Sequence, residues 1–316
     1  MRPSPAPQSP ASGGIDAARP LTASWIVDPG RWAKGIVVEA PGRPTPAMVR
    51  LVARYLEPVV RLCHRPTLTG IDNLPARGPF LLVANHSAGL GIAELLCFVA
   101  LYLRDVGPDR PLAGFAIPLG FKVFPLSAAH RALGTIPSTY AAAEQALSAG
   151  VPILVFPGGD HETLRPIREA NRVDFGERVG FLRIARASGV PIVPLGIRGS
   201  HYTAPMLLRS RLLATLLVTP RFIGSKRWGV SLLGAIVAIL IACFGPGGWA
   251  LRAGLCWLWL GSPLTFLAWI PWTIRMRIGA PIAASELFPG EGTGTEEELR
   301  RALPRVEAAV QALVDR

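Results

Sequence analysis

Short apolar runs, each closed by a glycine-containing turn and followed by a longer stretch of helical periodicity, recur through the middle of the chain. Phe80-Leu-Leu-Val-Ala84 has the length and composition of a buried strand, and Ile92 to Leu103 after it reads as a helix. Ser138 to Ala149 predicts a second helix, with Ser138 as N-cap and Gly150 as stop. The runs Val151 to Phe156 and Val190 to Leu195 predict two more strands, and the alternation of strand and helix is the pattern of an α/β sheet. At the near end, Thr45 caps a helix begun by Pro46, in which Met48, Leu51, Val52, Tyr55, Leu56, Val59, Val60 and Leu62 form an apolar stripe kinked at Pro58. At the far end, Leu299, Leu303, Val306, Val310 and Leu313 form such a stripe, with Glu296, Glu297 and Glu298 at the positive end of the helix dipole.

One region breaks the pattern. Between Arg227 and Arg275 the only charged residue is Arg252, and six of the chain's 8 tryptophans fall there. Gly229 to Phe244 and Ala253 to Trp272 read as two apolar legs joined by Gly245-Pro-Gly-Gly248. Positive charges at both outer ends suggest a helical hairpin that enters and leaves a membrane on its cytoplasmic side, spanning or re-entrant. Trp249, Trp257, Trp259, Trp269 and Trp272 suit an interfacial belt; a pair of buried core helices is the alternative.

Composition narrows the class. A net charge of +12 asks for a polyanion, and because Lys226-Arg227 and Arg275 to Arg277 flank apolar segments, lipid fits better than nucleic acid. The four cysteines, Cys63, Cys97, Cys243 and Cys256, lack CxxC spacing and read as buried thiols in a reducing compartment. Residues 1–44 are rich in Pro, Ala, Ser and Gly and carry no continuous apolar run, so they predict a disordered or loosely docked arm rather than a secretory signal.

The chemistry gathers where strands meet turns. Asn85-His86-Ser87 ends the first strand, and Pro157-Gly-Gly159 ends the second. A histidine at a turn is ordinarily a packing residue; two such ends on successive strands make one candidate site. The paired glycines could let backbone N–H groups converge on an oxyanion. Asp160-His-Glu162 follows directly, but adjacent residues cannot all face one ion, so no metal is expected. Glu162 and Arg165 are candidates for an acceptor pocket, and Pro108 to Pro137 for its wall.

The ordered set formed by the Thr69 to Phe80 lead-in, Asn85-His86, Leu133-Gly-Thr-Ile136, Phe156-Pro-Gly-Gly159, Val190 to Leu195 and Arg277 to Ile282 resembles the glycerolipid acyltransferase superfamily, the lysophospholipid acyltransferase family. Phe-Pro-Gly-Gly, followed by Val179-Gly-Phe-Leu-Arg-Ile-Ala185, is similar to the branch that makes neutral glycerides and other esters. The resemblance implies an α/β acyltransferase fold, a central mixed sheet flanked by helices, across residues 45–292. The apolar hairpin would be an insertion at 228–274, and 293–316 a C-terminal helix. It implies transfer of an acyl group from acyl-CoA or an acyl carrier protein to a lipid hydroxyl at the cytoplasmic face of a membrane such as a bacterial inner membrane, with no other cofactor. His86 would be the general base. Asn85, Ser87, Pro157, Gly158, Gly159, Asp160, Glu162 and Arg165 would bind substrate or oxyanion, as would the helix start after His86.

Two departures qualify the resemblance. Members carry an Asp five residues after the His, where this chain has Gly91; Glu94 is the expected substitute that orients the ring, before Asp160. Arginines that bind phosphate in lysophosphatidate-specific members are replaced by Thr135 to Ser138 and Gly159 to His161, which points to a neutral alcohol as acceptor. Without a working acid, the same fold would be a silent lipid-binding protein.

Overall fold

A computed structural model describes residues 33–87, 89, 92–222, 225–290 and 295–316. Residues 1–32 of the N-terminal arm, with Trp25 and Trp32, and Gly91 lie outside them. Among the described residues the chain builds one seven-stranded sheet and one two-stranded ribbon.

The strands, in chain order, are β1 (Thr67–Thr69), β2 (Leu81–Ala84), β3 (Ala113–Ala116), β4 (Ile136–Pro137), β5 (Ile153–Val155), β6 (Ile192–Arg198), β7 (Met206–Ser210), β8 (Trp228–Ser231) and β9 (Arg275–Ile278). The large sheet runs β1-β9-β6-β2-β5-β3-β4, and β7 pairs antiparallel with β8. β2 lies between β5 and β6 and is parallel to both, while β6 meets β9 antiparallel, so the sheet is mixed. All four residues of β2 are buried, because helices cover both faces of a parallel sheet and leave no solvated side to alternate toward.

The two faces divide the core. Leu81 and Val83 point into a cluster with the helices Tyr140–Ser148 and Gly180–Ser188 and the C-terminal helix; Leu82 and Ala84 point into one with the 46–64 helix and α2 (Ile92–Asp105). The 46–64 helix, α1, begins as expected, with the Thr45 hydroxyl accepting from Met48 N. It is wound as a π-helix over Val52–Leu56, the turn before Pro58, which has no N–H to donate. The helix Tyr140–Ser148 is capped by Thr139 rather than Ser138, its hydroxyl accepting from Ala142 N. Residues 33–44 dock on the far edge of the sheet, where Gly42 N donates to Gly134 O at 2.7 Å and Leu112 N donates to Gly42 O at 3.1 Å.

The C-terminal helix, Glu296–Asp315, lies against β6. Gly196 of β6 permits this approach: a Cβ there would come within 2.5 Å of Leu313 Cβ. Thr295 caps the helix by accepting from Glu298 N, and the acidic first turn reaches Arg183 through Glu296 at 2.8 Å.

The apolar region differs from expectation in its legs. Residues 228–231 are strand β8, and the legs are Leu232–Phe244 and Trp249–Gly261, 13 residues each. Ser231 caps the first leg, and Ser262-Pro263 ends the second in an extended conformation. Each leg is about 20 Å long against a hydrocarbon core of about 30 Å. No helix among the described residues is long and apolar enough to cross a membrane, so the spanning form of the hairpin is corrected to two short paired helices. Arg252 caps the opposite leg, donating to Ala242 O and Cys243 O.

The legs stand out from the body: Phe244 is 82% and Trp249 84% exposed, and Leu240 and Leu258 are also exposed. Trp259 belongs to the joint rather than to a belt, since its indole donates to Gly234 O on the other leg. Trp228 is buried with Phe266 and Leu164 in a small core at the hairpin's base.

Candidate active site

β2 delivers Asn85-His86-Ser87 to the carboxyl edge of the sheet, and β5 delivers the Pro157 turn beside it. The two strand ends therefore meet. Glu94, in the first turn of α2, is fully buried and accepts from the His86 ring through Nδ1. The same carboxylate accepts from Ser87 N at 2.9 Å and from Ser87 Oγ at 2.7 Å. Ser200 Oγ meets Ser87 Oγ; because the Ser87 proton is directed to Glu94, Ser200 is the donor. Glu94 accepts in all three bonds, so Nδ1 carries the ring proton and Nε2 keeps its lone pair.

The His86 ring packs on Phe156 at 4.5 Å and borders a cavity of about 290 Å³. Leu95, Phe115, Phe156, Leu164, Phe181 and Trp228 give it apolar walls; Phe115, Ala116 and Ile117 fall in the stretch expected to form a wall. Ser138 lines it as well, while Thr135 turns away to His130, 3.1 Å from its Nδ1.

Several expected roles change. Asn85 is not a substrate ligand: it clamps β2 to β6, donating to Ile197 O at 2.8 Å and accepting from Ile197 N at 2.7 Å. Ser87 positions Glu94 rather than facing the cavity. In the Gly158-Gly159 turn one of the two expected donors is already engaged. Gly159 N donates to Phe156 O at 3.3 Å, and the carbonyls of Pro157 and Gly158 face the Arg178 guanidinium. The glycines make room instead. A Cβ on Gly158 would lie 2.2 Å from Glu162 Cγ, and one on Gly159 2.5 Å from the Arg178 guanidinium. The start of α2 at 88–91 lies largely outside the described residues.

Glu162 and Arg165 do not line the acceptor pocket, since both are buried. Glu162 accepts from His86 N at 3.0 Å and Asp174 N at 3.2 Å, and Arg165 donates to Asp174 O at 3.1 Å. Asp160 borders the cavity but pairs with Arg178, leaving Glu94 as the acid on the ring. Asp160, His161 and Glu162 thus diverge, and among the described residues no group of three ligand-type side chains could hold a metal.

Burial pushes the Glu162 carboxyl up to about 8, partly offset by its two backbone donors and Arg165. The native state then holds a proton that the unfolded chain releases from about pH 4.5 upward. Stability is therefore greatest at the acidic side and falls as pH rises toward 8, by a few kcal/mol in order of magnitude. Thermal unfolding at pH 5 and pH 8 checks this: wild type loses more on going to pH 8 than Glu162→Gln, which has nothing to titrate, and parallel losses contradict the assignment.

Sequence reasoning missed Ser200, 113 positions from Ser87 with no local motif, and Arg178, just before the quoted Val179-Gly-Phe stretch.

Residues 65–198 match the family model Acyltransferase. That segment of the chain is similar to the acyltransferase family. The matched segment holds β1 to β6, and with them His86, Glu94, Glu162 and Arg178. An uncharacterized protein of Mycobacterium tuberculosis is 31% identical over 177 residues, 56% of this chain and 48% of that protein. Phytyl ester synthase 2, chloroplastic, of Arabidopsis thaliana is 29% identical over 147 residues, 44% of this chain and 20% of that protein. The chain thus spans about half the length of the mycobacterial relative and less of the plant one. The crystal structure of the 1-acyl-sn-glycerophosphate acyltransferase PlsC from Thermotoga maritima superposes with a TM-score of 0.47 at 20% identity, covering 85% of this chain and 80% of that one.

Proposed function

We propose that the protein transfers a fatty acyl group from a thioester, on coenzyme A or an acyl carrier protein, to the hydroxyl of a neutral lipid alcohol. The observation that carries this is the His86–Glu94 pair opening on an apolar cavity. A thioester is already reactive, whereas an alcohol needs a base as it attacks. His86 Nε2 takes the hydroxyl proton while the oxygen adds to the thioester carbon; the tetrahedral intermediate then expels the thiol, which recovers the proton from the imidazolium. Glu94 holds the ring and balances its transient charge. No Ser or Cys nucleophile is used, so no acyl-enzyme forms.

A neutral acceptor is supported by Ser138 standing at the cavity and Thr135 turned aside, where phosphate-binding arginines occur in the lysophosphatidate-specific pattern. The similarity to a protein named for phytyl ester synthesis favours the same side. The test supplies labelled acyl-CoA or acyl carrier protein with diacylglycerol, a long-chain alcohol or lysophosphatidate. Ester on the neutral alcohols, at least tenfold above lysophosphatidate, is the expected product. Preference for lysophosphatidate overturns the acceptor assignment, and no ester from either donor overturns the reaction.

In this reading the exposed hairpin seats the protein on the cytoplasmic face of a membrane by partial insertion. Burying a leucine- or phenylalanine-sized side chain contributes roughly 1.5–3 kcal/mol. Phe244→Glu with Leu258→Glu therefore weakens vesicle binding at least tenfold in a flotation assay, with the thermal midpoint kept. Unchanged flotation removes the hairpin from the membrane contact.

A further inference from the structure

A second cluster of charge borders the cavity and takes no part in the His86 chemistry. Arg178 donates to Gly158 O at 2.7 Å and pairs with Asp160. Lys226 N donates to the other Asp160 oxygen at 3.3 Å, which sets the ammonium-bearing residue and Arg227 at the foot of β8. Arg209, on the paired strand β7, donates to His161 O, the residue after Asp160. Arg178, Asp160 and Ser225 all line the cavity, so the cluster stands at its margin.

Arg178, Lys226 and Arg227 therefore gather about Asp160 with Arg211 nearby, and Arg209 stands beside Arg227 in the field of Asp174 and Glu169. Among the described residues, Arg209, Arg211, Lys226 and Arg227 make no ion pair with a carboxylate. Burial, with the neighbouring guanidiniums, holds Lys226, Arg209 and Arg227 below their ordinary ranges, and Asp160, Asp174 and Glu169 offset this only in part. Crowded cations at the edge of a half-buried site repel unless a multivalent anion lies among them. None of these residues belongs to the stretches that carry phosphate-binding arginines in the lysophosphatidate-specific pattern; three of them come from the β7–β8 ribbon and its connection.

We infer that Arg178, Arg209, Lys226 and Arg227 form a phosphoester subsite at the cavity margin, which holds the phosphate of a substrate or lipid while its hydrocarbon part enters the apolar pocket. The subsite rests on the acyl-transfer reading for its purpose but not for its detection. Two sources carry this chemistry: the phosphates of the thioester donor and the headgroup of an anionic lipid beside the hairpin. The first is expected, because the neutral acceptor brings no phosphate of its own.

The test reads binding without turnover. Titration calorimetry with coenzyme A and with inorganic pyrophosphate compares wild type, Lys226→Gln with Arg227→Gln, and a charge-matched control, Arg300→Gln with Arg301→Gln on the exposed C-terminal helix. The first pair weakens coenzyme A binding about tenfold or more, the size of a lost charge-assisted contact, and the control leaves it unchanged. A second arm floats the same proteins on phosphatidylcholine vesicles with and without phosphatidylglycerol. If the pair leaves coenzyme A untouched but removes the preference for phosphatidylglycerol, the lipid headgroup is the phosphate source. Equal behaviour of the pair and wild type toward pyrophosphate, coenzyme A and both vesicles overturns the subsite. Should the double variant unfold, Arg209→Gln and the single Lys226→Gln carry the same comparison. A protein that binds coenzyme A through these residues yet forms no ester keeps the subsite and removes the acyl-transfer reading; the reverse result does the opposite.

Discussion

His86→Ala lowers kcat/KM for ester formation by about 10²- to 10⁴-fold, the usual value of a positioned general base, and leaves a folded protein. The ring is part-exposed at the cavity and, among the described residues, packs on the Phe156 ring, so its loss removes little of the core. Glu94 keeps two of its three donors, both from Ser87. Donor binding measured with coenzyme A stays within about threefold, because the proposed proton transfer is not a binding contact. Added imidazole entering the vacated space restores part of the rate. Activity within about threefold of wild type would remove His86 from the chemistry, whereas no ester from the wild type itself would leave a silent lipid-binding protein as the better account.

Glu94→Gln is expected to cost nearly as much despite its conserved volume. Glu94 receives three donors, two on one oxygen and one on the other. An amide has one oxygen, which can keep the His86 Nδ1 and Ser87 N donors while its NH₂ donates to Ser87 Oγ, whose hydroxyl turns toward Ser200. The neutral amide, however, cannot balance the imidazolium charge that forms when Nε2 takes the alcohol proton. In the serine protease triad, which is another protein's case, the corresponding acid-to-amide change costs about 10⁴-fold in kcat. The same order is expected here, with KM nearly unchanged. Ser200→Ala loosens the far end of the chain and costs only a few-fold. Steady-state kinetics on the three variants gives the ranking; a Glu94→Gln enzyme that keeps more than about a tenth of wild-type kcat would show that the ring needs no acid.

The legibility of the site followed the range of the interactions. The β2 run, the turn after it and the carboxylate eight positions from His86 lie within one strand-turn-helix unit, where spacing determines geometry. Ser87 was placed at the site by proximity, but its work, holding Glu94 and being held by Ser200, depends on β6 arriving beside β2. The glycines of 157–159 were read for their backbone freedom; the structure uses their missing side chains, which only the positions of Glu162 and Arg178 reveal. Glu162 and Arg165 look like surface charges in a polar stretch, and their burial follows from Asp174 and His86 lying over them. The hairpin was recognisable from composition, but Gly229 to Ser231 pairs with β7, a strand whose partner no local pattern specifies.

The sheet register places Arg198 opposite Arg275 on neighbouring strands, so residues 199–274 leave the domain and return to it at a single point. Everything between those arginines behaves as a cassette, yet it supplies Ser200 behind the acid and Trp228 in the pocket wall. Under the proposed function, exchanging this cassette between homologous proteins would transplant two properties together: which surface the protein docks on, and how wide a chain its hollow admits.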